Sequence, residues 1–394
     1  MNKKLGKRIY LDNAATTPVD SRVEKAMASY FALNFANPSA IYKEGVGAQK
    51  AMENARKDIA GVLEAHSDEI VFTSGGTEAN NLAILGLVKN YTGKDRPHIV
   101  TTQVEHQSVL NVCSYLEKAG LASVSYVGVN KDGIVDPKEI KKGIKKNTIL
   151  VSVIYANNEI GSVQPVKEIV KTVRHFRKHQ KSATPYFHID ACQAINYLNV
   201  NVGQLGIDMM TFNGSKIYGP KGVGVLYLKR GVELAPVVYG GGQEEGLRSG
   251  TENMPAIIGI SEAIKISEKI KGRESSRLSK LRDYFIDQVL KKVIGSELNG
   301  SIKDRLSNNA NFSFPDIESQ LMVIELDARG IAVSAKSACS SEDEESSYVV
   351  DALGKGKNFG ETSVRFSLGR DTSKKDIDGV VKAILDIYKK YSNI

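Results

Sequence analysis

Four short stretches place reactive or ligand-holding residues directly after apolar runs: TSGGTEANN at 73–81, TTQVEHQSVL at 101–110, HIDACQ at 188–193 and FNGSKIYGPKG at 212–222. In the last, Lys216 sits among glycines, which allow close backbone approach or positive φ. Partial burial and nearby positive charge make a lysine a nucleophile able to form a Schiff base. A surface lysine is the plain alternative. Asp190 of HIDACQ, with Gln193 three residues on, puts a carboxylate where it can keep a heterocyclic nitrogen protonated, as the electron-sink ring of pyridoxal phosphate (PLP) requires; capping the next helix is the other reading. Gly76 and Thr77 open a helix whose amides and dipole can hold a phosphate, though a strand-to-helix turn with a Thr cap fits equally. His106 can stack on a ring or move protons near neutral pH, or simply face solvent in a first helical turn. The order phosphate turn, Asp, Lys, each after a different strand, favours one shared site.

Such a site needs a scaffold of strands. Apolar, β-branched runs (EIVFTSGG, HIVTTQ, TILVSVIYANN, YFHIDACQ, DMMTFNG, GVGVLYLKR) alternate with amphipathic stretches such as TEANNLAILGLVKNY and PVKEIVKTVRHFRKH. This alternation predicts an α/β domain on a largely parallel sheet, with ligands beyond the carboxyl ends of its strands. After residue 262 a long charged helix, with a possible break at Gly272, leads to a smaller α+β domain containing strand candidates NNANFSFP and SVRFSLG. The segment SAKSACSSEDEESSYVV, residues 334–350, is almost entirely small, polar or acidic and is expected to be a mobile loop. A cysteine in its middle is unexpected, because unpaired cysteine is usually buried.

The 394 residues carry a formal charge of +8, 41% hydrophobic and 25% charged residues. The lysines are scattered rather than interleaved with aromatics, so solvated helix faces are expected and direct nucleic-acid binding is not. Three widely spaced cysteines, without CxxC, suggest neither a disulfide framework nor a zinc site. No apolar run approaches spanning length and the start lacks an apolar signal region, so a cytoplasmic protein is expected, without membrane insertion. The P-loop, HExxH and strand-linked GxGxxG signatures are absent.

Taken together, YLDNAATTP, IVFTSGGTEANNLAI, EHQSVL, ANNEIG, HIDACQ, KIYGPKGVGVLY, GGGQEEGLRSGT, SACSS and VRFSLGR, in this order, make the chain resemble the PLP-dependent cysteine desulfurases of the class V aminotransferase superfamily. The resemblance implies the PLP-dependent transferase fold, aspartate aminotransferase-like. A large domain over 18–262 would have a mainly parallel sheet, and a small α+β domain would comprise 1–17 and 263–394. It implies that Lys216 carries PLP, that Asp190 pairs with the pyridine nitrogen, that Gln193 and Asn158 lie near the ring hydroxyl and that His106 stacks on the ring. Gly76, Thr77 and Ser215 fall at phosphate positions, with Asn213 beside them. Thr251 matches a residue supplied to the phosphate by the other subunit of a homodimer. Arg365 matches the clamp for the substrate carboxylate, and Cys339 the cysteine that takes sulfur from L-cysteine and passes it to an acceptor protein, for iron–sulfur cluster assembly or tRNA thiolation.

The chain departs from the family pattern in four places. Ser215 stands where His is common, Asn213 where Ser is usual, Tyr42 where His is common and Lys336 where Gly is typical. Two other activities are compatible with these residues: a related PLP lyase, such as one acting on selenocysteine, and a non-catalytic binding protein retaining the fold.

Overall fold

The computed structural model describes residues 8–335 and 346–391. A short strand β1 (Ile9–Tyr10) precedes the seven strands of the main sheet: β2 (Ile70–Thr73), β3 (His98–Thr102), β4 (Ser123–Val127), β5 (Thr148–Ile154), β6 (Tyr186–Asp190), β7 (Met209–Asn213) and β8 (Gly224–Leu228). Their order is β2-β8-β7-β6-β5-β3-β4. All neighbours are parallel except those of β8, which runs antiparallel to β2 and β7. The six apolar runs named above all form strands here. Every residue of β5 is buried, as expected for a strand covered by helices on both faces. The edge strand β4, SVSYV, did not stand out in the sequence because four of its five residues are only half-buried.

Polar side chains inside the sheet are satisfied across strands. His98 bonds Thr148 and Ser125 through its two ring nitrogens, and His188 bonds Ser152 and Thr211. Burial pushes both imidazoles down to about 4, so these rings are neutral rungs of the core.

The helix Met254–Lys292 joins two hydrophobic cores. Ile257, Ile260 and Ile264 pack under the main sheet, whereas Leu278, Phe285 and Val289 belong to the second core. It runs unbroken through Gly272. A Cβ there would meet nothing within 4 Å, so the glycine faces open space and costs only about 1 kcal/mol relative to alanine.

Around the second core lie β9 (Glu297–Leu298), β10 (Asn309–Ser313), β11 (Ile331–Ala332) and β12 (Ser363–Ser367). The order β12-β10-β9 is antiparallel, and β11 pairs in parallel with β1. Phe285 meets Phe312 and Phe366 edge to face, with centroids 5.4 and 5.1 Å apart.

Of the loop expected over 334–350, residues 336–345 lie outside the described residues, and both described ends carry structure. Ser334 bridges to Arg365, and Ser347 caps a short helix, Tyr348–Asp351, whose Val349 and Val350 are fully buried. The apolar pair Val349 and Val350 has a core to enter, which the polar composition upstream did not announce. Lys336 and Cys339 lie outside the described residues.

Candidate active site

The carboxyl ends of β2, β3, β5, β6 and β7 converge on one cavity of about 330 Å³, and Arg365 of β12 reaches it from the second core. Of the residues singled out in the sequence, Gly76, Thr77, His106, Asn158, Asp190, Gln193, Asn213, Ser215, Lys216 and Arg365 line it. Thr251 does not, and is exposed in this single chain. Cys339 lies outside the described residues.

One end of the cavity is a chain of side-chain hydrogen bonds. Asp190, buried at the end of β6, accepts Asn80 Nδ2 at 2.8 Å on Oδ2 and the amide of Cys192 at 3.0 Å on Oδ1. It therefore holds the following turn and caps no helix, because none begins there, while its other oxygen is held from the helix Gly76–Asn90. Asn80 Nδ2 also donates to Ser108 Oγ at 2.8 Å, and Ser108 Oγ lies 2.8 Å from His106 Nδ1. The Ser108 amide donates to the same nitrogen at 3.1 Å. A backbone N–H can only donate, so Nδ1 accepts and the proton of the neutral ring is on Nε2. Gln193 Nε2 donates to Ala14 O at 2.9 Å, and Lys216 Nζ donates to Ala15 O. The stretch NAATT is thus a wall that orients two site residues through its carbonyls.

The opposite end depends on small size. A Cβ on Gly76 would lie 2.8 Å from Cys192 Sγ and 3.0 Å from Asn213 Nδ2. The helix starting there has Gly75 as its N-cap, without a side-chain cap. The Thr-cap reading of this turn is therefore not what the structure shows; Thr77 is exposed, and Glu78 instead accepts the amide and hydroxyl of Ser74 while pairing with Arg248 at 2.9 Å. Ser215 Oγ donates to Asn213 Oδ1 at 3.2 Å, and Asn213 Nδ2 faces Cys192 Sγ at 3.6 Å. Burial, then the nearby Asp190, raises the Cys192 thiol well above its ordinary range.

At the third side Arg365, only 2% exposed, donates from Nη1 to Asn158 O at 3.0 Å and from Nη2 to Asp12 Oδ1 at 2.8 Å. Just behind His106, Glu105 is fully enclosed, and burial lifts its carboxyl to about 8.

Asn80, Ser108, Asp12 and the two alanine carbonyls escaped sequence reasoning. The one available signal was Asn80, a polar residue between Ala79 and Leu82 on the inward face of its helix.

The residues fit PLP. Asn158 Oδ1 and Arg365 Nε are buried without a partner among the described residues, as groups awaiting a ligand donor and a ligand acceptor would be. The Gly76 cradle admits no side chain, and its helix N-terminus suits a phosphate. A carboxylate at the end of β6 and an amine in the turn after the neighbouring β7 suit a protonated ring nitrogen and a carbonyl carbon.

Comparison with known proteins agrees. The class-V aminotransferase family model matches residues 9–380. The chain is 42% identical to the cysteine desulfurase IscS of Dictyoglomus turgidum, covering 98% of this chain and 96% of that one. It is 41% identical to the cysteine desulfurase IscS of Methanosarcina thermophila, covering 98% and 94%. Among solved structures, a NifS-like protein superposes with a TM-score of 0.90 at 33% identity, over 97% of this chain and 100% of its own. SspA in complex with cysteine superposes with a TM-score of 0.78 at 33% identity, over 91% and 98%. The chain belongs to the class-V aminotransferases, among the cysteine desulfurases of that family.

Proposed function

We infer that the chain is a PLP-dependent cysteine desulfurase that converts L-cysteine to L-alanine and carries the sulfur away as a persulfide on Cys339. The observation that carries this reading is the meeting of Lys216, Asp190 and Arg365, from the turn after β7, from β6 and from β12 respectively, around one cavity. PLP, when bound, supplies the sink for the electron pair released at the substrate Cα. Asp190 would hold the ring nitrogen, and Gly76, Thr77, Asn213 and Ser215 the phosphate. Thr251 of the partner subunit would join them. Gln193 and Asn158 would face the ring hydroxyl, and His106 its plane.

Arg365 orients L-cysteine by its carboxylate, using N–H groups that Asn158 and Asp12 leave available. Lys216, placed by Ala15 O, takes the Cα proton and returns one during alanine formation. The Cys339 thiolate attacks the substrate sulfur; the S–S bond forms as the Cβ–S bond breaks, and the departing pair is protonated at Cβ to give alanine.

Exposed Phe31, Leu33, Phe35 and Ile41 support a homodimer, which would also bring Thr251 to a second cavity. A sulfur-acceptor protein is the expected further partner. The two cores support a large domain over 18–262 and a small domain formed by 1–17 and 263–394. Among the described residues no helix is long and apolar enough to cross a membrane; with its unpaired thiols, a cytoplasmic setting is the reading we favour.

Incubation with L-cysteine and PLP should yield alanine and protein persulfide in equal amounts. Faster selenide release from selenocysteine would instead mark a selenocysteine lyase, and failure to take up PLP a binding protein.

A further inference from the structure

The two stems flanking residues 336–345 are tied to the very segments that present the site. Upstream, Ser334 and Arg365 exchange backbone hydrogen bonds of 3.2 and 2.7 Å. Downstream, Ser347 Oγ donates to the buried Glu159 Oε2 at 2.6 Å, and Tyr348 Oη donates to Glu105 O at 2.6 Å. Glu159 follows Asn158, and Glu105 precedes His106.

The receiving groups are rigid. The carbonyl of Glu159 accepts Asn309 Nδ2 at 3.1 Å and Asn311 Nδ2 at 3.3 Å from β10, and Asn157 Nδ2 donates to Val104 O at 2.8 Å. Gly161 has φ 75°, and a Cβ there would lie 2.6 Å from Asn309 Oδ1, so this turn has one backbone path. Val349 and Val350 then pack on Val104 and Ile160 in a small core of their own. Hydroxyl donation to a buried carboxyl is strengthened by the low local dielectric. The downstream stem therefore registers the position of both His106 and Asn158.

We propose that Ser347 and Tyr348 are positioning residues for persulfide formation, clasping the downstream stem of the Cys339 segment to the backbone that presents His106 and Asn158. The proposal rests on the reading of Cys339 as the sulfur-accepting cysteine. Cys339 follows Ser334 by five residues and precedes Ser347 by eight. Ser347 and Tyr348 fix where the chain that follows Cys339 enters the described fold, beside the backbone of His106 and Asn158, an advantage realised in kcat.

The test uses the PLP-loaded enzyme carrying Ser347→Ala, Tyr348→Phe or Ser347→Thr. Alanine formation gives kcat and KM, bound PLP is measured by absorbance, and Cys339 alkylation by iodoacetamide is timed by peptide mass spectrometry with and without PLP. Ser347→Ala should lower kcat about tenfold and Tyr348→Phe about threefold, with KM and bound PLP unchanged. Alkylation of Cys339 should quicken about threefold in both variants, and Ser347→Thr, which keeps the hydroxyl, should restore most of the rate. Unchanged kcat in both Ser347→Ala and Tyr348→Phe would overturn the proposal, as would a parallel loss of bound PLP that marks general structural damage. Cys339→Ser is the separate control: persulfide formation in that variant would remove the reading on which the clasp rests, whatever Ser347 does.

Discussion

The two ends of the cavity are built on opposite principles. Around Asp190, four side chains from three elements are linked by hydrogen bonds, from Asp190 through Asn80 and Ser108 to His106, the N-cap of the helix that carries Ser108. Around Gly76 the design is an absence, because the space a Cβ would occupy is bounded by Cys192 and Asn213. Damage should therefore follow different rules at each end. Taking atoms away should hurt at the ring end, where a buried polar group left unpaired costs more than the bond was worth. Adding atoms should hurt at the phosphate end, where packing decides.

The largest subtraction is Lys216→Ala. It removes the amine that Ala15 O holds in the cavity, and alanine formation should fall by at least about 10³-fold. Borohydride reduction of the wild-type holoenzyme should place the pyridoxyl label on the peptide containing Lys216. A label on any other lysine would break the assignment of this end of the cavity.

Glu105 tests whether the ring end is held neutral behind His106. Burial raises its carboxyl from 4.5 to about 8. A group raised in this way favours the fold fully below its unfolded value, and that contribution is lost as pH climbs through the window up to about 8. Glu105→Gln removes the ionisation, so the variant should gain on wild type by about 5 kcal/mol between pH 4.5 and 8. Unfolding midpoints of the two holoenzymes across this range measure it. A gap independent of pH would show that Glu105 is charged in the fold.

These groups differ in how openly the sequence announces them. Asp190, His106 and Lys216 were legible because each follows an apolar run, and central parallel strands are apolar on both faces. Ser108 and Asp190 meet Asn80 across 28 and 110 residues, and Asp12 meets Arg365 across 353. Such pairings are set by tertiary topology and leave no local spacing. Ala14 and Ala15 act through carbonyls, which every residue possesses, so their types carry no signal. The strands around the second core were legible in outline, but the anchoring of Ser347 and Tyr348 was hidden by a polar, acidic neighbourhood that reads as loop.

At the phosphate end the informative change is an addition. Gly76→Ala brings a methyl to 2.8 Å from Cys192 Sγ, so PLP should bind the apoprotein about tenfold more weakly, read by absorbance titration. Removing the opposing sulfur with Cys192→Ala should restore part of the affinity in the double variant, a coupling that additive effects would not give. At the ring end the matching subtraction is Ser108→Ala. It removes the hydroxyl between Asn80 and His106 Nδ1 but leaves the backbone amide on that nitrogen, so kcat should fall about fivefold while PLP affinity holds.

The smallest expected effect comes from subtracting at the phosphate end. Ser215 Oγ already donates its proton to Asn213 Oδ1 at 3.2 Å, so toward a phosphate it must either give up that bond or contribute little. Asn213 Nδ2 faces the Cys192 sulfur at 3.6 Å, a weak acceptor that an anionic oxygen would readily replace. The amide is therefore the stronger of the two donors, and the serine serves mainly to hold it in that orientation. Ser215→Ala should weaken PLP binding only about twofold, whereas Asn213→Ala, which loses the donor itself, should weaken it about fivefold. Absorbance titration of both apoproteins gives the order directly. Were Ser215→Ala to cost more than Gly76→Ala, the phosphate end too would be a hydrogen-bonded construction, and the contrast between the two ends would fail.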